Sequence, residues 1–218
     1  MNTGHDAATT AVRTRDELFA TNGYCDLTKY EISSLISMAA LVSFQKPETA
    51  RYLEIGIYGG GTIKVLHHFT AGMHFTGIDL FEEMIPGEDN THDMGNFTMN
   101  NVQDFVGPDV RLIKGDSRKV LPQLQAAGET FDLIFIDGNH TYAATKTDLA
   151  NSIPLLAPGG FVAIHNCSAW ATPDIDAYNR VDGGPFRVCV EMKTSGDWVC
   201  VCEIDRIAVF ARKDNSNG

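Results

Sequence analysis

RYLEIGIYGGGT, residues 51–62, decides the fold. It reads as a short apolar strand carrying Glu54 that runs into a loop, where Gly56, Gly59, Gly60 and Gly61 let the backbone approach a ligand more closely than any Cβ would allow. The run lacks the Gly-x-Gly opening of the dinucleotide fingerprint, and a Glu two residues before the first Gly is foreign to a phosphate cradle. A carboxylate aimed into a glycine loop suits a cationic ligand. The competing reading is a tight strand-to-helix turn with Glu54 as a surface charge.

Four further strands follow. HFTGIDL (74–80) ends near Asp79, about twenty residues past Gly56, the usual place of a ribose-binding acid. VRLIKGD (110–116) brings Asp116 and Ser117 to the same edge, where an adenine ring would be read. FDLIFIDG (131–138) sets Asp137 at a strand end, and LLAPGGFVAIHN (155–166) gives a fifth strand preceded by a Pro-Gly-Gly turn. In open parallel sheets ligands bind outside the carboxyl ends of the strands, so polar termini on successive strands predict one shared site. For Asp116 and Asp137, capping of the following helix is an equal alternative.

The ordered set LEIGIYGGGT, TGIDL, IKGDS, FDLIFIDGNHTY and LLAPGGFVAIHN resembles the class I methyltransferases that use S-adenosylmethionine. Within them it resembles the small-molecule O-methyltransferase branch (methyltransferase family 24), whose fourth motif reads IDG-x-H-x-Y. The likeness runs over roughly residues 25–212. It implies an α/β fold: a Rossmann-like, seven-stranded, mostly parallel sheet with an antiparallel C-terminal hairpin, helices on both faces and an N-terminal helical lid. It implies S-adenosylmethionine as cofactor, held by Glu54, Gly56, Tyr58, Gly60, Thr62, Asp79, Leu80, Gly115, Asp116, Ser117, Asp137 and Gly138. In that carry-over Glu54 and the glycine loop face the methionine part, Asp79 the ribose, Asp116 and Ser117 the adenine, and Asp137 the amino group or a metal. An acidic cleft favours the sulfonium and ammonium of such a ligand. The organisation expected is a flexible N-terminal segment over 1–20, a single methyltransferase domain over 21–212 and a flexible tail over 213–218.

Methyl transfer to oxygen is an in-line displacement that wants donor and acceptor held in attack geometry and a base of near-neutral pKa. His140, three residues beyond Asp137, is the candidate base, as the resemblance also implies, and His165 is a second residue able to handle the proton. The alternative for His140 is a bond to a loop carbonyl or to Tyr142. Many relatives bind Mg²⁺ through the acid at the Asp137 position and a second acid just after the fifth strand, where this chain reads His165-Asn166. Any metal would sit on Asp137 and Asn166, but with one carboxylate fewer and an imidazole beside it the site suits Mg²⁺ poorly, and the expectation leans to a metal-free enzyme. Candidate acceptor contacts are Tyr30 on the N-terminal helix, Asn166, and Arg180, which with Arg187 flanks VDGGPF and suits a carboxylate, phosphate or phosphonate. The alternative for both arginines is a solvated surface cation.

With 218 residues, 44% of them hydrophobic, the chain can bury one substantial core. A net charge of −11 with only 17 scattered Lys and Arg argues against a nucleic-acid partner. No apolar run approaches the ~20 residues that span a bilayer, and MNTGHDAATTAVRTRDE does not read as a signal peptide, so a cytoplasmic protein without membrane partners is expected. Cys25, Cys167, Cys189, Cys200 and Cys202 are expected as free thiols, with Cys200-Val-Cys202 lacking the second pair of a zinc site. A helix is expected over 26–44 with Asp26 or Thr28 as cap and Tyr24 nearby, another near 96–105 after a polar loop, and past 166 an acceptor loop, two β runs RVCVEMK and DWVCVCEI, and a closing strand IAVFAR. A homodimer is the default for such an enzyme. The function expected is O-methylation of a small molecule, at a natural-product hydroxyl or acid oxygen. A small acidic metabolite such as a phosphonate or carboxylate is the alternative acceptor. Outside this class stand an NAD-binding oxidoreductase and a non-catalytic nucleotide-binding module.

Overall fold

The structure, a computed structural model, describes residues 25, 27–81, 97–168 and 183–213. The expectations for residues 1–20, Tyr24, Asp26, Arg180, most of the acceptor loop and the tail after 213 lie outside the described residues. Seven strands, β1 (Arg51–Ile55), β2 (His74–Asp79), β3 (Arg111–Lys114), β4 (Phe131–Ile136), β5 (Leu156–Ile164), β6 (Trp198–Ile204) and β7 (Ile207–Arg212), form one sheet in the order β3-β2-β1-β4-β5-β7-β6. The first five run parallel, and β7 lies antiparallel between β5 and β6. Strand order reverses at β1, whose neighbours are β2 and β4, which makes its carboxyl end the switch point where ligands bind in such sheets.

Among the described residues six α-helices cover the two faces: α1 (Lys29–Gln45), α2 (Gly61–Phe69), α3 (Met99–Val106), α4 (Ser117–Ala126), α5 (Tyr142–Ser152) and α6 (Gly184–Ser195). The period-2 alternation of the strands divides the core. Tyr52, Phe75, Leu133, Phe135, Ala163 and Val209 pack with α1, α2 and α3, whereas Leu53, Ile78, Ile134, Val162 and Phe210 pack with α4, α5 and α6. The same alternation sends Glu54, Asp79, Asp137 and His165, at even spacing from Tyr52, Phe75, Leu133 and Ala163, to the face under α1 and α2.

The helix expected to act as a lid is a core helix. A capping box starts α1: the Thr28 hydroxyl accepts from Glu31 N (3.3 Å) and the Glu31 carboxylate accepts from Thr28 N (2.7 Å). Ile32, Leu35, Met38, Ala39 and Val42 then bury one face, and only the first turn reaches the carboxyl edge of the sheet. No helix of the described residues is long and apolar enough to cross a membrane.

Two sequence expectations are corrected. RVCVEMK lies in α6, not in a strand. Gly183 (φ 87°) and Pro185 start the helix, and Val188, Cys189 and Met192 bury one face at 3–4 spacing, a helical period that the β-branched content of the run conceals. Cys167 and Cys189, expected as free thiols, are joined as a disulfide, their Cα atoms 6.0 Å apart. Cys25, Cys200 and Cys202 are free. A bulge between Cys200 and Cys202 turns them to opposite faces of β6, where each packs against a different core.

The glycine loop is shaped by the protein itself. Gly56 has φ 85°, and a Cβ there would stand 2.3 Å from the backbone oxygen of Asp137. At Gly60 (φ 81°) it would stand 2.7 Å from Val106 on α3. The close approach expected toward a ligand is, at these two positions, an approach to neighbouring chain. Gly56→Ala is therefore expected to lower stability by more than about 2 kcal/mol, combining left-handed strain with a backbone clash; an unchanged melting temperature would contradict this.

Asp148 on α5 is 4% exposed and accepts from the Ser117 hydroxyl at 2.7 Å, tying α5 to α4. Burial, with the charge of Asp116 adding, raises its carboxyl from 3.8 to about 6. The folded value exceeds the unfolded one, so its contribution is fully present below about pH 4 and is lost as pH rises through 6, in all on the order of 2–3 kcal/mol. Asp148→Asn should raise the melting temperature at pH 8 and change it little at pH 4; equal shifts at both would contradict this account.

Candidate functional site

Asp79, 9% exposed at the end of β2, organises the loop after β1. Its Oδ2 accepts from Ile57 N (2.6 Å) and Tyr58 N (2.9 Å), and its Oδ1 accepts from Phe81 N (2.8 Å). Tyr58 (φ 52°) and Phe81 (φ 52°) take left-handed backbone to present these N–H groups. Tyr58, Asp79, Phe81 and Phe97 line a narrow cleft, with the Tyr58 and Phe97 rings edge to face at 4.6 Å. The carboxylate is thus fixed beside aromatic walls, a suitable setting for a nucleoside.

Glu54 is 1% exposed, and among the described residues its one bond is from the Tyr52 hydroxyl at 2.7 Å. Burial raises its carboxyl well above the usual range, the Tyr52 bond opposes this, and the charges of Asp137 and Asp79 raise it further. Buried acids of this kind are ordinarily paired with a cation. Here the sequence alternative of a surface charge does not hold, because Glu54 faces inward beneath the loop.

Asp137 anchors the second half of the site. Its Oδ1 lies 2.7 Å from His165 Nδ1 and 3.2 Å from His140 Nε2. The Asn166 amide stands 3.0 Å from His140 Nδ1, and Asn166 takes φ 57°, a left-handed conformation asparagine tolerates. Burial would raise the Asp137 carboxyl, but the two histidines outweigh it and hold it far below the usual carboxylate range. His165 is 2% exposed and lies between Asp137 and Glu31, its Nε2 3.7 Å from Glu31 Oε2, an ion-pair distance beyond hydrogen-bonding reach. Burial alone would lower the imidazole, and the two carboxylates raise it to about 9. Glu31 in turn accepts from Arg206 N (2.9 Å), Nε (2.8 Å) and Nη2 (3.0 Å). Against its burial, His165 and Arg206 bring its carboxyl down to about 2.

The remaining expected residues fall around this centre. Asp116 caps α4 through Arg118 N (3.0 Å) and forms a bidentate pair with the Arg118 guanidinium, and Ser117 donates to Asp148. Gly115 (φ 154°) bonds back to Asp79 O at 2.9 Å, keeping the β2 and β3 ends in register beside half-exposed Leu80. Thr62 is buried in the first turn of α2, 3.5 Å from Cys25, and Gly138 follows Asp137 under the first turn of α5. Tyr30 is 56% exposed with Lys29 over its ring. Arg187 stacks 3.8 Å from the Tyr142 ring and pairs with Glu191 at 3.4 Å. The groove at the opposite, amino-terminal edge of the sheet, lined by Arg51, His74 and Arg111, has both arginines paired with Glu129. Sequence reasoning missed Glu31 and Arg206, which are 175 positions apart. The Thr-x-x-Glu capping signature marks Glu31 as a cap, and nothing local marks its second role.

Asp137, His140 and His165 place possible ligand atoms within 4.8 Å of one another. Mg²⁺ demands near-octahedral oxygen ligation, whereas this set offers two imidazoles and one carboxylate whose Oδ1 already takes both histidines. Asn166 Oδ1, buried and without a partner among the described residues, adds one amide oxygen, and with a single carboxylate and two imidazoles the residues present suit Mg²⁺ poorly.

The sequence profile of a family described as a methyltransferase domain matches residues 53–167, just over half of the chain. A curated protein of Mycobacteroides abscessus, named provisionally as an O-methyltransferase, is 48% identical over 60 residues, 27% of this chain and 26% of that protein. The MycE methyltransferase from the mycinamycin biosynthetic pathway, solved with Mg and SAH, superposes with a TM-score of 0.66 at 17% identity over 95% of this chain and 56% of its own. The O-methyltransferase from Bacillus cereus, solved with SAH, gives a TM-score of 0.59 at 14% identity over 95% of this chain and 91% of its own. The chain thus spans about a quarter of the curated relative and just over half of MycE, and at these identities the structures speak for the fold. Sheet order, the acidic carboxyl edge and the profile over residues 53–167 agree: the chain belongs to the methyltransferase domain family.

Proposed function

We propose that this protein transfers the methyl group of S-adenosylmethionine to an oxygen of a small molecule. The observation that carries the reading is the buried carboxylate of Glu54, set with Asp79 and Asp137 at the switch point and lacking a cationic partner among the described residues. A sulfonium and an ammonium supply that partner. S-adenosylmethionine supplies an activated methyl group whose C–S bond breaks as the O–C bond forms. The chain's own part is to bind, orient and take up a proton. The Asp79 carboxylate, held by three loop amides, keeps acceptor capacity for ribose hydroxyls, and Tyr58, Phe81 and Phe97 wall the nucleoside.

His140 is the better base of the two histidines. Its side chain is 25% exposed and so reachable by an acceptor hydroxyl, while His165 is sealed between two carboxylates. Asp137, kept ionised, orients the His140 ring and stabilises the imidazolium formed when the acceptor proton arrives. The place of MycE in the mycinamycin biosynthetic pathway supports a natural-product hydroxyl as acceptor. A small acid is the second reading, favoured by Arg187 beside Tyr142, with Arg180 and Asn166 as further contacts. The reading includes a homodimer, and a net charge of −11 disfavours nucleic acid.

Asp79→Ala should weaken binding of S-adenosylhomocysteine by at least about 30-fold, roughly 2 kcal/mol, because buried hydroxyls lose a charged partner; unchanged affinity by calorimetry would remove Asp79 from the site. A cation beside Glu54 lowers its raised carboxyl, so S-adenosylmethionine should bind more tightly as pH rises and release a proton. Glu54→Gln should abolish that pH dependence, and a variant with the wild-type profile would refute the pairing. With an acceptor found by mass spectrometry of metabolite pools incubated with labelled donor, His140→Gln should lower kcat at least about 100-fold and leave cofactor affinity intact. Turnover within a few fold of wild type would acquit it as base.

A further inference from the structure

We propose that the imidazole of His165 stands where a hard divalent cation such as Mg²⁺ would sit beside Asp137, so that this site works without such an ion. The purpose of the site rests on the methyltransferase reading; the substitution itself rests on geometry. Alternation along β5 places residue 165 on the same face as Glu54 and Asp137, and His165 N bonds to Ile136 O at 3.0 Å, fixing the backbone at the end of β4. Its Nδ1 then meets Asp137 Oδ1 at 2.7 Å, occupying one oxygen of that carboxylate.

The other side of the ring is closed in the same way. Glu31 Oε2 is 3.7 Å from Nε2, and Glu31 is held by three bonds from Arg206 and one from Thr28 N, so it cannot swing round to serve an ion at Asp137. The next residue but one, Cys167, is tied to α6 through Cys189. An ion at Asp137 Oδ1 would have to displace the His165 bond, and among the protein atoms beside it would meet two imidazoles, with the Asn166 Oδ1 as the one uncommitted amide oxygen, where a hard cation takes several oxygens. The His165 N–H instead gives Asp137 the electropositive contact, leaving its carboxylate directed at His140 as well. His165 and Glu31 are in this account positioning residues, and His140 alone is offered to the acceptor.

The test needs no acceptor. Protein shown first by calorimetry to bind S-adenosylhomocysteine is saturated with it and titrated with Mg²⁺, Mn²⁺ and Ca²⁺, beside Asp137→Asn and His165→Asp. The wild type should take up none of the three more tightly than about 1 mM, and His165→Asp, which sets a second carboxylate beside Asp137, should bind Mg²⁺ at least about tenfold more tightly than the wild type. One equivalent of any of the three ions held by the wild type and lost in Asp137→Asn overturns the proposal. A folded His165→Asp protein that gains no Mg²⁺ affinity also overturns it; if that variant does not fold, the wild type and Asp137→Asn decide between them. Failure to bind S-adenosylhomocysteine at the outset counts against the transferase reading, and the ion titrations of the unsaturated protein still judge this one.

Discussion

Three carboxylates gathered at one edge of the sheet, two buried and one half-buried, constrain everything else in this molecule. Glu54, Asp79 and Asp137 lie at the carboxyl ends of adjacent central strands, on one face, where the charges of Asp137 and Asp79 raise the free energy of charging Glu54. Each is relieved differently. Asp79 is satisfied by backbone N–H groups of the loop after β1, Asp137 by two imidazoles, and Glu54 by a single phenol. The first two are therefore built into the fold, and the third is the position left for a cation from outside.

The loop follows from that arrangement. To bring Ile57 N and Tyr58 N onto one oxygen of Asp79, the backbone must pass through left-handed conformations at Gly56, Tyr58 and Gly60, and at Gly56 it must lie against the backbone of Asp137. The glycines thus join the β1 and β4 ends, and the carboxylates of the two halves keep their spacing because the chain between them cannot relax. On the other side, α1 contributes Glu31 from its capping box and the β6–β7 turn contributes Arg206, so that His165 is clamped by elements far apart in sequence. A site assembled from the termini of so many rigid elements is pre-organised, which is what an in-line displacement requires of its enzyme.

Much of this is legible in the residues. Apolar runs ending in Asp79, Asp116 and Asp137 announce parallel strands with polar termini, and odd-even counting from Tyr52 or Leu133 puts the acids on one face. What escapes is long-range. The Cys167–Cys189 bond joins residues that a count of five cysteines cannot pair, and the Glu31–Arg206 pair spans nearly the whole chain. Residues 187–193 mislead because local β propensity and tertiary burial disagree: Val188, Cys189 and Val190 read as a strand until Gly183 and Pro185 are seen to start a helix that buries Val188, Cys189 and Met192. The glycines of the loop were legible as special backbone, but whether they meet a ligand or the protein depends on where β4 and α3 lie.

The central claim, that these acids hold a positively charged sulfur nucleoside, is tested most directly by a crystal structure of the protein soaked with S-adenosylmethionine. The account predicts ribose hydroxyls on the Asp79 carboxylate, the nucleoside against Tyr58 and Phe97, and the charged methionine end over Glu54. A groove that stays empty, or a ligand seated at the amino-terminal edge between Arg51 and Arg111, would contradict it.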